Sequence, residues 1–213
     1  MTTAQPTSGP LQSLVAGASR VLVKQQKEWG EILVGVETRN RYELRSDNGT
    51  LLGHAEEESK GFGAFFLRNV FGPMRSATIR IYDAARAPIG RIEKPFRWFF
   101  FRVEVFDGDR RIGAIERKWS WIDRRFVVEN NRGEVVLEIV SPLFRIWTFE
   151  LRFEGQVVGQ ISKKWGGVLK EWFSDADVFG VEWREHVPAE VRALLLGATF
   201  LVDFACFEGN QGH

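Results

Sequence analysis

Five segments of this chain repeat one pattern: an alternating strand, a polar turn and a return strand. They are Tyr42 to Ala55, Ile79 to Ile92, Val103 to Ile115, Phe126 to Ile139 and Phe149 to Ile161. Four of the turns carry residues that accept positive φ or make Asx turns: Asp47-Asn48-Gly49, Asp107-Gly108, Asn130-Asn131-Arg132-Gly133 and Glu154-Gly155. Asp83 to Pro88 substitutes a proline-bearing turn. Three return strands align as Ile89-Gly90, Ile112-Gly113 and Val158-Gly159, each with isoleucine two residues after the glycine. The first two glycines are 23 residues apart and the next interval is 46, twice that period. A hairpin repeated at this spacing, with side chains alternating at period two, predicts a mainly β protein: an antiparallel sheet or barrel. A glycine recurring inside strands marks a bulge or a corner of the barrel rather than a ligand contact.

The last segment breaks the pattern. Pro188 suits a first helical position and Glu190 the positive end of a helix, and Val191 to Phe207 is nearly all apolar. Arg192, Thr199 and Asp203 form one narrow polar stripe. A helix from Pro188 to Glu208 runs about 31 Å, long enough to cross a bilayer or a barrel. Its charge-free run, Ala193 to Val202, is only ten residues, and Asp203 inside a bilayer costs on the order of 3 kcal/mol near a helix centre, less near an end. The helix is therefore expected to fill the β structure, with Cys206 as a small buried hydrophobe.

Composition bounds the rest. With 213 residues, 44% of them hydrophobic, the chain suits one domain with a sizeable core. Twenty-nine basic against 28 acidic residues gives a net charge of +1, so no general pull toward nucleic acid exists and none is expected as a partner. A single cysteine rules out an internal disulfide and suits a reducing compartment. Residues 1–20 read as a flexible tail without a secretory signal, 21–208 as the barrel domain with its central helix at about 188–208, and 209–213 as a C-terminal tail.

Four blocks, Val21 to Glu43, Leu67 to Asp83, Val158 to Gly180 and Leu196 to Glu208, resemble successive blocks of the phospholipid scramblase family, in the family's order. The resemblance covers about nine-tenths of the chain. It implies a tubby-like fold: a closed antiparallel barrel of hairpins around a hydrophobic C-terminal helix. It also implies membrane association and calcium-stimulated, ATP-independent movement of phospholipids between leaflets.

The family's calcium loop maps onto Asp175 to His186. Asp175, Asp177 and Gly180 match; Phe179 stands at the fifth position and His186 at the twelfth, where oxygen donors are wanted. Glu182 and Glu185 offer replacement carboxylates at unfamiliar spacing. Two readings stand: a weak, millimolar calcium loop, or a turn in which Asp175 and Asp177 cap backbone groups. Many animal members carry a palmitoylated cysteine-rich run, and the equivalent stretch here, Phe96 to Arg102, has no cysteine. Phe96, Arg97, Trp98, Phe99 and Phe100 are expected to contact membrane at headgroup level; Phe62, Phe65, Phe66 and Phe71, with Arg68 nearby, have the same interfacial chemistry. From Phe101 onward, alternation predicts a strand.

No HExxH, GxSxG, P-loop or CxxC pattern is present, and no enzyme is expected. Lys163-Lys164-Trp165 is a small basic–aromatic patch of the kind found at exposed strand ends. Two function classes follow. One is a scramblase-like protein, cytoplasmic and peripheral at the inner face of the plasma membrane. The other is a soluble module that binds lipid headgroups or a protein partner without moving lipid.

Overall fold

A computed structural model of the chain describes residues 8–26, 40–58, 76–96, 101–142, 144, 145, 147–163 and 178–206. A short helix, α1 (Pro10–Ala16), precedes twelve strands: β1 (Arg20–Gln26), β2 (Arg41–Ser46), β3 (Leu51–Glu57), β4 (Ala77–Asp83), β5 (Pro88–Lys94), β6 (Arg102–Asp107), β7 (Arg110–Lys118), β8 (Asp123–Asn130), β9 (Val135–Pro142), β10 (Thr148–Phe153), β11 (Gln156–Ser162) and β12 (Val178–Trp183). A long helix, α2 (Ala189–Cys206), follows. Every strand is antiparallel to both neighbours, and β1 closes the barrel by pairing with β2 on one side and β12 on the other.

The five repeated segments are the five hairpins β2–β3 through β10–β11. Their turns use positive φ at Gly49, Gly108, Gly133 and Gly155, and also at Arg86 and Glu154. Every hairpin shifts register once in the same place, leaving Leu52, Ile89, Ile112, Val136 and Val158 as the extra residues of five bulges. The recurrent glycine follows the bulged residue in four of the five. At Gly90 an added Cβ would stand 2.5 Å from the carbonyl oxygen of Phe106 and 3.2 Å from Leu11 of α1. The glycines thus let the neighbouring strand and the core helices come close where the wall bends. They are geometric, as the recurrence predicts.

β1 and β12 lie outside the repeat, and the sequence reading assigned neither as a strand. Their partners are far away in the chain: Arg20 stands opposite Glu182. A second difference concerns residues 8–20, expected to belong to a flexible tail. They instead form α1 and the start of β1, and Leu11 and Val15 are fully buried against α2 and the wall. Gly9, the residue before the helix, has no side chain with which to cap it. Asp107 at the end of β6 does so instead, its Oδ1 accepting the Leu11 N–H at 2.7 Å.

Alternation sends Tyr42, Leu44, Ile79, Ile81, Val103, Val105, Phe149 and Leu151 inward, where they pack around α2. Residues 193–202 of that helix are buried, Gly197 excepted from the hydrophobic core only because it has no side chain; an added Cβ there would meet Val105 at 2.5 Å. The side chains of Asp203 and Cys206 lie outside the described residues. The helix climbs through the lumen: Leu194 lies against Gly113 near the hairpin turns, and Phe200 meets Tyr42 and Phe179 edge-on at 5.3 and 5.9 Å near the other end. Thr199 satisfies its hydroxyl on the Leu195 carbonyl. Arg192, at the foot of the helix, donates to the carbonyls of Ala16, Ala18, Glu185 and Val187, tying α2 to the end of α1 and to the turn that follows β12.

Candidate functional site

Antiparallel connectivity gives the barrel two unlike ends. The five tight hairpin turns lie at one end, and the remaining six connections all leave from the other. In sequence, those six connections (27–40, 58–76, 95–101, 119–122, 143–147 and 163–177) hold every tryptophan of the eight except Trp183. The five hairpin turns hold no aromatic residue at all. The turns carry Asp47, Asp109, Glu134 and Glu154 against Arg86 and Arg132; the three shortest connections at the other end carry Arg97 and Arg145 and no acid.

The connection 119–122 presents three large apolar side chains to solvent, Trp119 at 64%, Trp121 at 78% and Ile122 at 79% exposure. The two indoles meet edge-on at 4.5 Å. Asp123 anchors the start of β8 directly after them, its Oδ2 accepting from Arg125 at 3.1 Å. The Ser120 hydroxyl, and then the Arg125 guanidinium, outweigh burial and hold this carboxyl below its ordinary value. Next along the rim, Asp123 pairs with Pro142, so 119–122 and 143–147 are neighbours. Phe144 there is 82% exposed and Trp147 37%. The Lys163 N–H donates to the Trp147 carbonyl at 3.1 Å.

Of the residues expected to contact membrane, Phe96 lies on this same rim and is 45% exposed; Arg97, Trp98, Phe99 and Phe100 lie outside the described residues. So do Phe62, Phe65, Phe66, Arg68, Phe71, Lys164 and Trp165. The strand predicted from Phe101 is β6, beginning at Arg102. Sequence reasoning passed over Trp119, Trp121, Ile122, Phe144 and Trp147. The signal that finds them is the parity of the hairpins, which sends every second connection to one end.

Asp175 and Asp177 of the candidate calcium loop lie outside the described residues. Of the described part of that segment, Val178 to Trp183 forms β12, and Glu185 and His186 lie in the turn that follows it. Gly180 sits inside the strand opposite Leu22 and Ser162. The Glu182 carboxylate accepts from Arg20 at 2.6 Å and from Gln160 at 2.8 Å, and Glu185 is an exposed residue beyond the strand. A loop that wraps a cation needs free oxygen donors converging on one point. Glu182 is committed across the sheet, so the described donors do not fit such a loop.

The barrel wall is the inverse of a membrane-spanning one. Spanning barrels are apolar outside and polar within, with strands of about 9–11 residues. Here the strands are six to nine residues long and the lumen is apolar. The outer face carries ion pairs from strand to strand, among them Arg20–Glu182, Arg102–Glu116 and Arg102–Glu129, and within β10 Arg152–Glu150. Among the described residues no helix is long and apolar enough to cross a membrane.

These features define a class: a charged-walled barrel, its lumen filled by a helix, with tryptophans concentrated in the connections at one end. Comparison with known proteins makes the assignment specific. The family described as Scramblase matches residues 1–209, and the chain belongs to that family. It is 31% identical over 213 residues to phospholipid scramblase 2 of Bos taurus, covering 91% of this chain and 70% of that one. It is 32% identical over 210 residues to phospholipid scramblase 1 of Homo sapiens, covering 90% of this chain and 64% of that one. Human phospholipid scramblase family member 5 is 31% identical over 207 residues, with 88% and 73% covered.

Proposed function

We propose that this protein is a phospholipid scramblase-like protein that works from the membrane surface, moving phospholipids between leaflets without ATP. The observation that carries the reading is the family match across residues 1–209. The geometry supports a peripheral mode of action. A lumen packed with α2 leaves no path for a headgroup through the barrel, and a wall of ion pairs is unsuited to hydrocarbon. Lipid movement then depends on the protein perturbing the interface it touches, at the inner face of the plasma membrane.

The role of calcium belongs to the same proposal. With Phe179 and His186 at two donor positions and Glu182 held by Arg20, binding is expected to be no tighter than about millimolar. Micromolar binding by calorimetry, abolished by Asp175→Ala, would overturn that expectation.

The test of function is reconstitution into vesicles carrying a fluorescent lipid, with a quencher confined to the outside, with and without calcium. Quenching beyond the outer-leaflet share is the expected result. Vesicle binding without extra quenching would leave a headgroup-binding module. No binding to any lipid mixture would point to a protein partner instead.

A further inference from the structure

We propose that the barrel stands end-on to the bilayer and meets it through two adjacent connections, with Trp119, Trp121, Ile122, Phe144 and Trp147 as its points of entry. The inference rests on the phospholipid reading above and specifies the face, orientation and residues by which it acts.

Four observations converge on this face. Trp119, Trp121, Ile122 and Phe144 are the four most exposed large apolar side chains among the described residues, and all four belong to these two connections. The connections are brought together by the pairing of Asp123 with Pro142. Their chemistry suits a headgroup layer: indoles combine an apolar body with an N–H donor, and tryptophan concentrates at such interfaces. Charge suits it too. The two connections hold Arg145 and no acid, Lys118 and Lys163 flank them, and the Asp123 carboxylate is held by Arg125. The opposite end, with four acids against two arginines in its turns, faces away.

A bilayer is the occupant these features favour over a second copy of the chain. The side chains lie at the end of a barrel whose wall carries ion pairs, and the four most exposed large apolar side chains gather there, with the less exposed Val135, Phe153 and Val157 at the hairpin-turn end. Entry at headgroup depth leaves that charged wall in water and buries only the rim. The orientation also sets where Phe96 falls, because it shares the rim.

The experiment uses the full chain and vesicles of phosphatidylcholine with phosphatidylserine. W119S/W121S and, separately, F144S/W147S are compared with wild type by co-sedimentation and by quenching from lipids brominated at defined acyl depths. V135S/V157S, at the hairpin-turn end, is the control. Each rim variant is expected to weaken vesicle affinity at least tenfold, with a melting temperature within about 2 °C of wild type, while the control binds unchanged. Wild-type tryptophan emission should be quenched most by shallow bromines, and less so in W119S/W121S. If wild type binds but both rim variants bind within twofold of it, the face is wrong and the phospholipid reading stands. The face is wrong in the same way if the control loses as much affinity as the rim variants. If the rim variants change only the sedimenting mass of the protein, the face is a contact between copies and the inference is overturned. If wild type neither binds nor scrambles any vesicle, the inference falls together with the function it rests on.

Discussion

Arg102 on β6 ties together three strands of the outer face. Its guanidinium reaches Glu116 at 2.6 Å and Glu129 at 3.0 Å, with all three side chains less than a fifth exposed. Burial works against its charge, but the hydrogen bonds to Glu129 and Glu116 outweigh that and raise its affinity for the proton. Arg102→Ala would strand two half-buried carboxylates and is expected to cost about 2 kcal/mol. At this chain length that lowers the melting temperature by roughly 4–8 °C in calorimetry. Glu116 supplies the pH dependence. Burial pushes its carboxyl up, while Arg102 and Lys118 prevail and hold it below its ordinary value of 4.5. The unfolded chain therefore takes up this proton first as pH falls. The stabilisation is complete above about pH 4.5 and is lost as pH drops through the lower folded value. Urea denaturation between pH 3 and 7 should show a shallower acid limb in Glu116→Gln than in wild type. At Gly90 the expectation is steric. An alanine Cβ would press on the Phe106 carbonyl, and Gly90→Ala should destabilise by about 3 kcal/mol, at the upper end of overpacking. The glycine's role was legible in the sequence because it recurs with its hairpin. That of Glu182 was not, because Arg20, which holds it, lies 162 residues away.

Among the elements, the five hairpins could be read from the chain because both strands and their turn fall within about fourteen residues. The C-terminal helix could be read because it is apolar on nearly every side. β1 and β12 escaped notice because each is specified by a distant partner rather than by a turn. α1 escaped because seven residues with a proline and a glycine in front look like a tail; only its placement against α2 gives Leu11 and Val15 something to bury. Deleting residues 1–17 is thus expected to cost roughly 3–6 kcal/mol, the burial of two aliphatic side chains. Thermal melting checks this, and a tail would have made the deletion silent. Removing everything after Val187 takes away the helix around which the inner face packs. It should leave an insoluble or molten chain, shown by lost near-ultraviolet dichroism and by binding of a hydrophobic dye. A truncation that stays soluble and melts cooperatively would place α2 outside the fold.

At the scale of the whole molecule, the division into two unlike ends follows from connectivity alone. An antiparallel barrel sends alternate connections to opposite ends, so two kinds of segment can diverge without disturbing the wall between them. The hairpin turns hold no aromatic residue, while seven of the eight tryptophans fall in the connections opposite. Closure through β1 and β12 has a further consequence, for how the protein comes into being. As the chain leaves the ribosome, β1 to β11 can pair in order, yet the sheet keeps two open edges until residue 183 has emerged. Its apolar concave face waits longer still, for the residues of α2. During that interval the nascent protein is a long, sticky, unpaired sheet, and its survival falls to chaperones that shield strand edges. A circular permutant that joins the C-terminus to the start of the chain by a linker and opens at a hairpin turn would have α2, α1 and β1 in hand much earlier.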